Sequence, residues 1–313
     1  MNLQQLRYVR EAVRQRLNLT EAAKKLYTSQ PGVSKQIKEL EDELGVEIFV
    51  RRGKRLVALT EPGKLVVKVV ERILNETENL RQVGREFHDQ ESGSLVIATT
   101  HTQARYALPR VVTGFKRRYP KVRLALQQGS PPQLAEMVIS GDADMAIATE
   151  SLDHYPQLLA LPGYTWIHCV VVPARHPLTR VPRLALEDLA PYPIITYDAA
   201  FTGRSHIDAA FAARDLKPDI VLSAIDADVI KTYVELRMGV GIVATMAFDA
   251  KRDRSLRALE AGHLFGSNTT RVAVRRGGLL RGYAYAFIEL FAPHLSRQVI
   301  DTALAGEGEL YEL

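Results

Sequence analysis

The sequence predicts a mainly α winged helix-turn-helix head, a long linker helix, and then a two-lobed α/β body. Three observations predict it. Residues 18–55 read as two short helices, a tight turn and a basic hairpin. Residues 62–87 carry a stripe with alternating spacings of three and four. Beyond a polar break at 90–94, short strand and helix patterns alternate along the chain.

In the head, Leu3, Leu6, Val9, Val13 and Leu17 recur at a helical period. Asn18 is a natural N-cap for a second helix reaching about Leu26, with Glu21 in the capping-box position. Thr28 or Ser29 caps a third helix, whose first turn accepts Pro31 because that N–H needs no intrahelical partner. Val33, Ile37, Leu40 and Leu44 share its apolar face, and Gly45 stops it in the left-handed conformation. Residues 47–59 alternate around Arg52-Gly53-Lys54 and read as a hairpin. In the long helix, Val66, Val69, Ile73, Leu80, Val83 and Phe87 form a heptad seam interrupted by Glu76. A second copy of the chain is the expected partner of that seam.

In the body, strands are expected at 95–100, 123–128 and 145–148, with helices at 103–119 and 132–140. A second unit has strands at 169–172, 194–197, 220–224 and 241–244, with helices near 187–189, 205–214 and 228–238. Residues 271–274 and the helices beyond return to the first unit. The pattern implies a largely parallel sheet, with crossovers near 163–166 and 267–270 and a cleft between the lobes. The expected boundaries are 1–60 for the head, 61–89 for the linker helix and 90–94 for a hinge. One lobe is 95–164 with 268–313, and the other is 165–267.

Composition narrows the function classes. A chain of 313 residues with 46% hydrophobic and 25% charged residues is that of an ordinary soluble protein of two or three domains. A single cysteine, Cys169, gives neither a disulfide framework nor a thiolate metal cluster. With no basic-plus-apolar leader and no run of about 18 apolar residues, a cytoplasmic protein without a membrane span is expected. Residues 1–60 hold 12 Lys/Arg against seven Asp/Glu, which equals the whole chain's surplus of +5. A basic head on a neutral body points to a polyanion as its partner.

The third helix identifies that partner. Opposite its apolar face stand Gln30, Ser34, Lys35 and Lys38. Gln bonds adenine bidentately and Ser reaches either kind of base edge. Lys35, Lys38, and the exposed N–H groups at the helix start with Thr28 and Ser29 suit phosphates, and Pro31 in that first turn belongs to the same DNA-facing set. Arg51, Arg52, Lys54 and Arg55 on the hairpin suit the adjacent backbone or minor groove. Double-stranded promoter DNA is therefore the expected partner.

The segment resembles the winged helix-turn-helix of LysR-type transcriptional regulators. The residues that carry the likeness are Ala22-Ala23, Ser29-Gln30-Pro31, Val33-Ser34, Ile37, Leu40-Glu41, Leu44-Gly45 and Phe49, with Thr60-Glu61-Pro62-Gly63 at the wing-to-linker junction. The resemblance runs the whole length. It implies a periplasmic-binding-protein-like effector domain, a homodimer or homotetramer joined through the linker helix, and contact with RNA polymerase.

Beyond the strand ends, Thr100, Thr102 and Gln103, then Thr149, then Thr202 with Gly203 and Ser205, stand where open α/β sheets bind ligands. Hydroxyls beside free helix N–H groups hold a small oxyanion without a fixed cation. Helix capping explains each junction singly; three together favour a site. Residues 99–106, 128–131, 146–150, 201–205 and 226–231 resemble the CysB-like subgroup of the same family. That resemblance implies control of sulfate assimilation and cysteine synthesis. It implies effectors such as O-acetylserine, N-acetylserine, sulfate or thiosulfate, lined by Thr100, Thr102, Gln103, Thr149 and Thr202. A regulator of sulfonate or sulfate-ester use in the same subgroup is the alternative. Asp198-Ala199-Ala200 departs from the neutral stretch expected before Phe201 and leaves the inducer open.

Other chemistry finds little support. There is no metal-binding histidine motif, phosphate loop, dinucleotide fingerprint or nucleophile elbow, so no cofactor, no metal and no catalytic residue is expected. His101 and His206 adjoin the cleft and read as structural, Arg204 as a clamp or an ion pair, and Tyr164 and Trp166 as hinge packing. A solute-binding protein and an α/β enzyme of sulfur or amino-acid metabolism are the rivals from other classes.

Overall fold

A computed structural model of the chain describes residues 1–53, 55–88, 91–149, 152–199, 201 and 203–306, with residues 78 and 81–88 described by backbone alone. The chain divides into two compact units, residues 1–88 and 89–313.

The first unit opens with helices α1 (Leu3–Arg14), α2 (Leu19–Lys25) and α3 (Gln30–Leu44). Asn18 caps α2 by accepting from Thr20 N and Glu21 N at 3.1 and 3.2 Å. The expected return bond from Glu21 is replaced by an ion pair to Lys24 at 2.8 Å. The reciprocal capping box occurs one helix earlier, between Asn2 and Gln5. Ser29 caps α3, Pro31 lies in its first turn, and Gly45 ends it at φ 69°. Only a residue without Cβ takes that conformation cheaply. Strands β1 (Phe49–Arg52) and β2 (Arg55–Leu59) form the hairpin.

Helix α4 (Glu61–His88) closes the unit. Its apolar face is shifted by one residue from the expected seam. Val67, Val70 and Leu74 are buried in the same core as Val9, Ile37 and Phe49, while Val66 and Ile73 lie at its margin. Helix α1 covers this neighbouring stripe. Leu65, Val69 and Leu80 remain outside, with Leu80 73% exposed. The side chains of Val83 and Phe87 lie outside the described residues.

The second unit has strands β3 (Gly93–Thr99), β4 (Val122–Gln128), β5 (Met145–Ala148), β6 (Leu158–Pro173), β7 (Ile194–Tyr197), β8 (Ile220–Ala224), β9 (Val240–Ala244), β10 (Leu256–Glu260) and β11 (Ser267–Arg275). Its helices are α5 (Leu108–Arg118), α6 (Pro131–Ser140), α7 (Leu186–Leu189), α8 (Arg204–Ala212), α9 (Ala227–Glu235), α10 (Gly262–Phe265), α11 (Gly282–Phe291) and α12 (Arg297–Ala305). Pairing runs β4-β3-β5-β11-β6-β9-β7-β8, with β10 also on β6. Strands β3, β4 and β5 pair in parallel, as do β7, β8 and β9.

The two expected crossovers, near 163–166 and 267–270, lie within strands. β6 and β11 pair antiparallel from Ser267↔Ile167 to Arg275↔Leu158, joining the two lobes into one mixed sheet. The expected strand at 169–172 is only the far end of β6. Helix α11 packs with α5 in the first lobe's core, where the Phe115 and Phe287 rings meet edge to face at 5.4 Å. The expected helix 103–119 is also two pieces: a π-helical turn, Gln103–Ala107, precedes α5. Pro109 accounts for the break, since it has no N–H to give to the carbonyl of residue 105.

Candidate functional site

Two sites follow, one in each unit. In the head, the buried face of α3 is Val33, Ile37, Leu40 and Glu41. Lys35 and Lys38 stand exposed on the other side, with Gln30 and Ser34 half-buried beside them. Thr28, Ser29 and Pro31 are exposed at the helix start. Lys35 faces Glu39 at 3.7 Å, an exposed pair that DNA phosphates can displace cheaply. Gln30 and Arg55 line one hollow of about 410 Å³ with Arg16, Asn18 and Thr20. Arg52 is exposed on the hairpin, and Lys54 lies outside the described residues.

Arg51 has a different role from its neighbours. Its Nη2 donates to Glu41 Oε2 at 2.8 Å. Glu41 Oε1 also accepts from Ile48 N and Phe49 N at 2.9 and 3.1 Å. The Arg51 charge is thus used within the fold, and Glu41 fixes the hairpin to α3. Sequence reasoning also passed over Tyr27, which is 98% exposed at φ 50° just before α3. An aromatic ring held out in a left-handed turn beside Thr28 and Ser29 is the signal that was available.

In the body, the strand ends carry the second site. Thr100, Thr102 and Gln103 are buried at the start of the π-helical turn. Gln103 Nε2 donates to Thr270 Oγ1 at 3.1 Å, and the Tyr164 hydroxyl donates to Gln103 Oε1. Trp166 Nε1 lies 3.1 Å from Thr270 Oγ1 and 3.3 Å from Thr149 Oγ1, with the two hydroxyls 3.3 Å apart. Gln103 and Thr149 therefore meet on one hydroxyl, that of Thr270. Thr102 Oγ1 is buried beside the Tyr197 hydroxyl of the second lobe. No side-chain bond among the described residues ties Thr100 or Thr102 into the knot. Thr202 lies outside the described residues.

Thr270 and Trp166 were not in the expected set. The Trp166 ring meets His168 edge to face at 4.9 Å, as packing requires, yet its N–H points into the hydroxyl cluster. Burial raises the Tyr164 phenol above its ordinary value, so it stays a donor at neutral pH. Beside the knot lies a hollow of about 500 Å³ lined by Thr149, Gly203, Ser205, His206, Asn268 and Arg271 among others. Gly203 sits at φ 68°, and a Cβ there would lie 2.3 Å from Asn268 Oδ1. Asp198 is exposed at the end of β7.

Arg204 donates to Tyr197 O at 2.6 Å and to Asp208 at 2.8 Å, so its charge is held within its own lobe. Cys169 is buried and its thiol is pushed up to about 12 by desolvation, which makes it a poor nucleophile at neutral pH. Among the described residues no group of three or more His, Cys, Asp or Glu has metal-site geometry. No helix among them is long and apolar enough to cross a membrane.

Comparison with known proteins matches residues 3–64 to the bacterial regulatory helix-turn-helix proteins of the lysR family, and residues 88–296 to the LysR substrate binding domain. The chain is 63% identical over 300 residues to the HTH-type transcriptional regulator SsuR of Burkholderia cenocepacia, covering 96% of this chain and 97% of that one. It is 61% identical to CysB of the same organism, over the full length of both. It is 51% identical to cbl of Escherichia coli, covering 97% of this chain and 98% of that one. Among solved structures, the cofactor-binding domain of the Cbl transcriptional regulator superposes with TM-score 0.66 at 47% identity, covering 68% of this chain and 93% of that one. Full-length OxyR from Pseudomonas aeruginosa gives TM-score 0.67 at 21% identity, covering 93% and 97%, a likeness of fold.

Proposed function

From the premise that this chain belongs to the LysR family of bacterial helix-turn-helix regulators, we propose that it controls genes of sulfate assimilation and cysteine synthesis. In this reading α3 enters the major groove of promoter DNA, with Gln30 and Ser34 reading base edges. Thr28, Ser29, Lys35, Lys38, Arg52 and Lys54 hold phosphates, and Pro31 fixes the first turn that presents them. The body binds a small sulfur-pathway effector at Thr100, Thr102, Gln103, Thr149 and Thr202, to which we add Thr270 and Trp166.

One observation carries the effector reading. Gln103, Trp166 and Thr149 converge as neutral groups within 3.1–3.3 Å of the Thr270 hydroxyl, with no cation in the knot among the described residues. Such a set suits a sulfate-like oxyanion, or the carboxylate or ester oxygen of an acetylated serine. The exposed apolar residues Leu65, Val69 and Leu80 of α4 support pairing into a homodimer, and such pairs can assemble into a tetramer. RNA polymerase is the partner that a promoter-bound activator would meet. The relative named SsuR, as similar as the one named CysB, favours a second reading within the same function: a regulator of sulfonate or sulfate-ester use.

An effector alters DNA contacts only through different affinity for two arrangements of the protein. The test is a thermal-shift screen of sulfate, thiosulfate, O-acetylserine, N-acetylserine and alkanesulfonates, followed by footprinting on promoter fragments. One or more should raise the melting temperature and change the footprint. A specific footprint that none of them alters would overturn the effector assignment and leave the DNA-binding assignment standing. No specific footprint at moderate salt would overturn both.

A further inference from the structure

The two lobes of the body also touch through a charged cluster that the effector reading does not use. Arg105 and Tyr106 stand on the π-helical turn of the first lobe, directly after Gln103. Asp228 and Lys231 stand one turn apart on α9 of the second lobe. The Tyr106 hydroxyl donates to Asp228 Oδ1 at 2.6 Å, and Arg105 Nε donates to Asp228 Oδ2 at 3.1 Å. Both oxygens of one carboxylate in the second lobe are therefore held by the first lobe, across 122 and 123 residues of sequence.

Lys231 ties this contact to its own lobe. Its Nζ lies 3.2 Å from Asp228, donates to both Asp253 oxygens at 3.1 Å, and donates to Ala247 O at 2.8 Å. It also lies 5.5 Å from the centroid of the Tyr106 ring. Lys231 is 7% exposed, and a buried ammonium persists only with such partners. The two carboxylates, the cation and the phenol hold one another in a single arrangement.

The π-helical turn gives this cluster its meaning. In an α-helix, residues three apart share a face; the wider i→i+5 turn splays them. Gln103 can then point to Thr270 in the hydroxyl knot while Tyr106 points to Asp228. We propose that Tyr106, Arg105, Asp228 and Lys231 form an interlobe latch that positions the π-helical turn, and with it Gln103, against the second lobe. Tyr106 and Asp228 are its positioning residues. The latch stands whatever the effector is.

Hydrogen exchange on the full chain, without effector, tests the latch in the variants Tyr106→Phe, Asp228→Asn and the double variant. Tyr106→Phe keeps the ring over Lys231 and removes only the bond to the carboxylate, so its folding is the least at risk. A lost hydrogen bond to a charged group corresponds to about 10- to 150-fold faster exchange. Each single variant should show it in both segments, residues 103–107 and 227–231, while α3 is unchanged. Asp228→Asn also removes an acid from the first turn of α9, which by itself loosens α9 alone. The transfer of the effect to residues 103–107 is thus the reading that a merely local role would not give. The double variant should exchange more slowly than the product of the two single effects, because both act on one carboxylate. The latch is overturned if each substitution loosens only its own segment, or if the two effects multiply as independent events.

Discussion

Glu41 offers the sharpest test of how the head is held together. Its carboxylate is 7% exposed near the end of α3, and it accepts from Ile48 N, Phe49 N and Arg51 Nη2 at 2.8–3.1 Å. Glu41→Ala strands two backbone donors and a guanidinium. At about 1–3 kcal/mol for each stranded donor, with partial relief by water at Arg51, the head should lose about 2–5 kcal/mol. Glu41→Gln is gentler. One amide oxygen can keep both backbone bonds, while its NH₂ meets Arg51 donor to donor, so about 1–2 kcal/mol is expected. The single Trp166 lies in the body, so its fluorescence does not report the head. Hydrogen exchange at the Ile37 and Leu40 amides does. Exchange there should quicken by about thirty-fold to a few thousand-fold in the Ala variant, and by about ten-fold in the Gln variant. Protection in Glu41→Ala within three-fold of the native chain would refute the reasoning, as would equal damage from both substitutions.

Three other outcomes are expected. Gln30→Ala should relax base choice at its contacted position by about 1–3 kcal/mol, whereas Arg52→Ala should weaken binding to all sequences and flatten the salt slope by about one unit; equal losses of one kind, measured by titrating operator and scrambled DNA at several salt concentrations, would dissolve that division. Thr270→Val should abolish the thermal shift given by sulfate or O-acetylserine while leaving operator affinity intact, and an undiminished shift would remove Thr270 from the site. The Asp228 carboxyl is raised by burial but lowered further by Tyr106, Lys231 and Arg105, which leaves it below its ordinary 3.8. Its contribution to the latch is therefore present above that value and lost as pH falls through the lower folded value. Exchange at residues 103–107, corrected for intrinsic rate, should quicken in that acid window in the native chain and stay flat in Asp228→Asn.

Much of the head was legible because its signals are local. The Asn18 and Ser29 caps, Pro31 in a first turn and the Gly45 stop each act within four residues, and they delimit the helices observed. What the sequence did not carry depends on distant partners. The spacing of apolar residues on α4 fits two neighbouring stripes; α1 selects Val67, Val70 and Leu74. The crossover strands escaped notice because residues 162–168 mix Pro, Gly and polar residues, and their pairing with β11 bridges about a hundred residues of chain. Thr270 looks like any strand hydroxyl until Trp166 and Gln103 arrive from 104 and 167 residues away. The π-helical turn had a readable cue in Pro109, passed over because the apolar period continues through it.

The state of the hydroxyl knot bears on what an effector must do. Gln103 Nε2 and Trp166 Nε1 already donate to Thr270, so a ligand gains nothing by offering another neutral acceptor of equal quality. An oxyanion does better, because bonds to a charged acceptor are roughly twice as strong as neutral ones. The Thr270 O–H is a further donor there, because it can donate while its oxygen accepts from Gln103 and Trp166. Arg204 cannot supply a counter-charge while it holds Tyr197 O and Asp208. The knot supplies neutral donors and Arg271 lines the adjoining hollow, so the placement of oxygens against these groups sets the selectivity. A carboxylate-bearing ester and a tetrahedral oxyanion can then share one site, provided each places an oxygen where Gln103 and Trp166 converge.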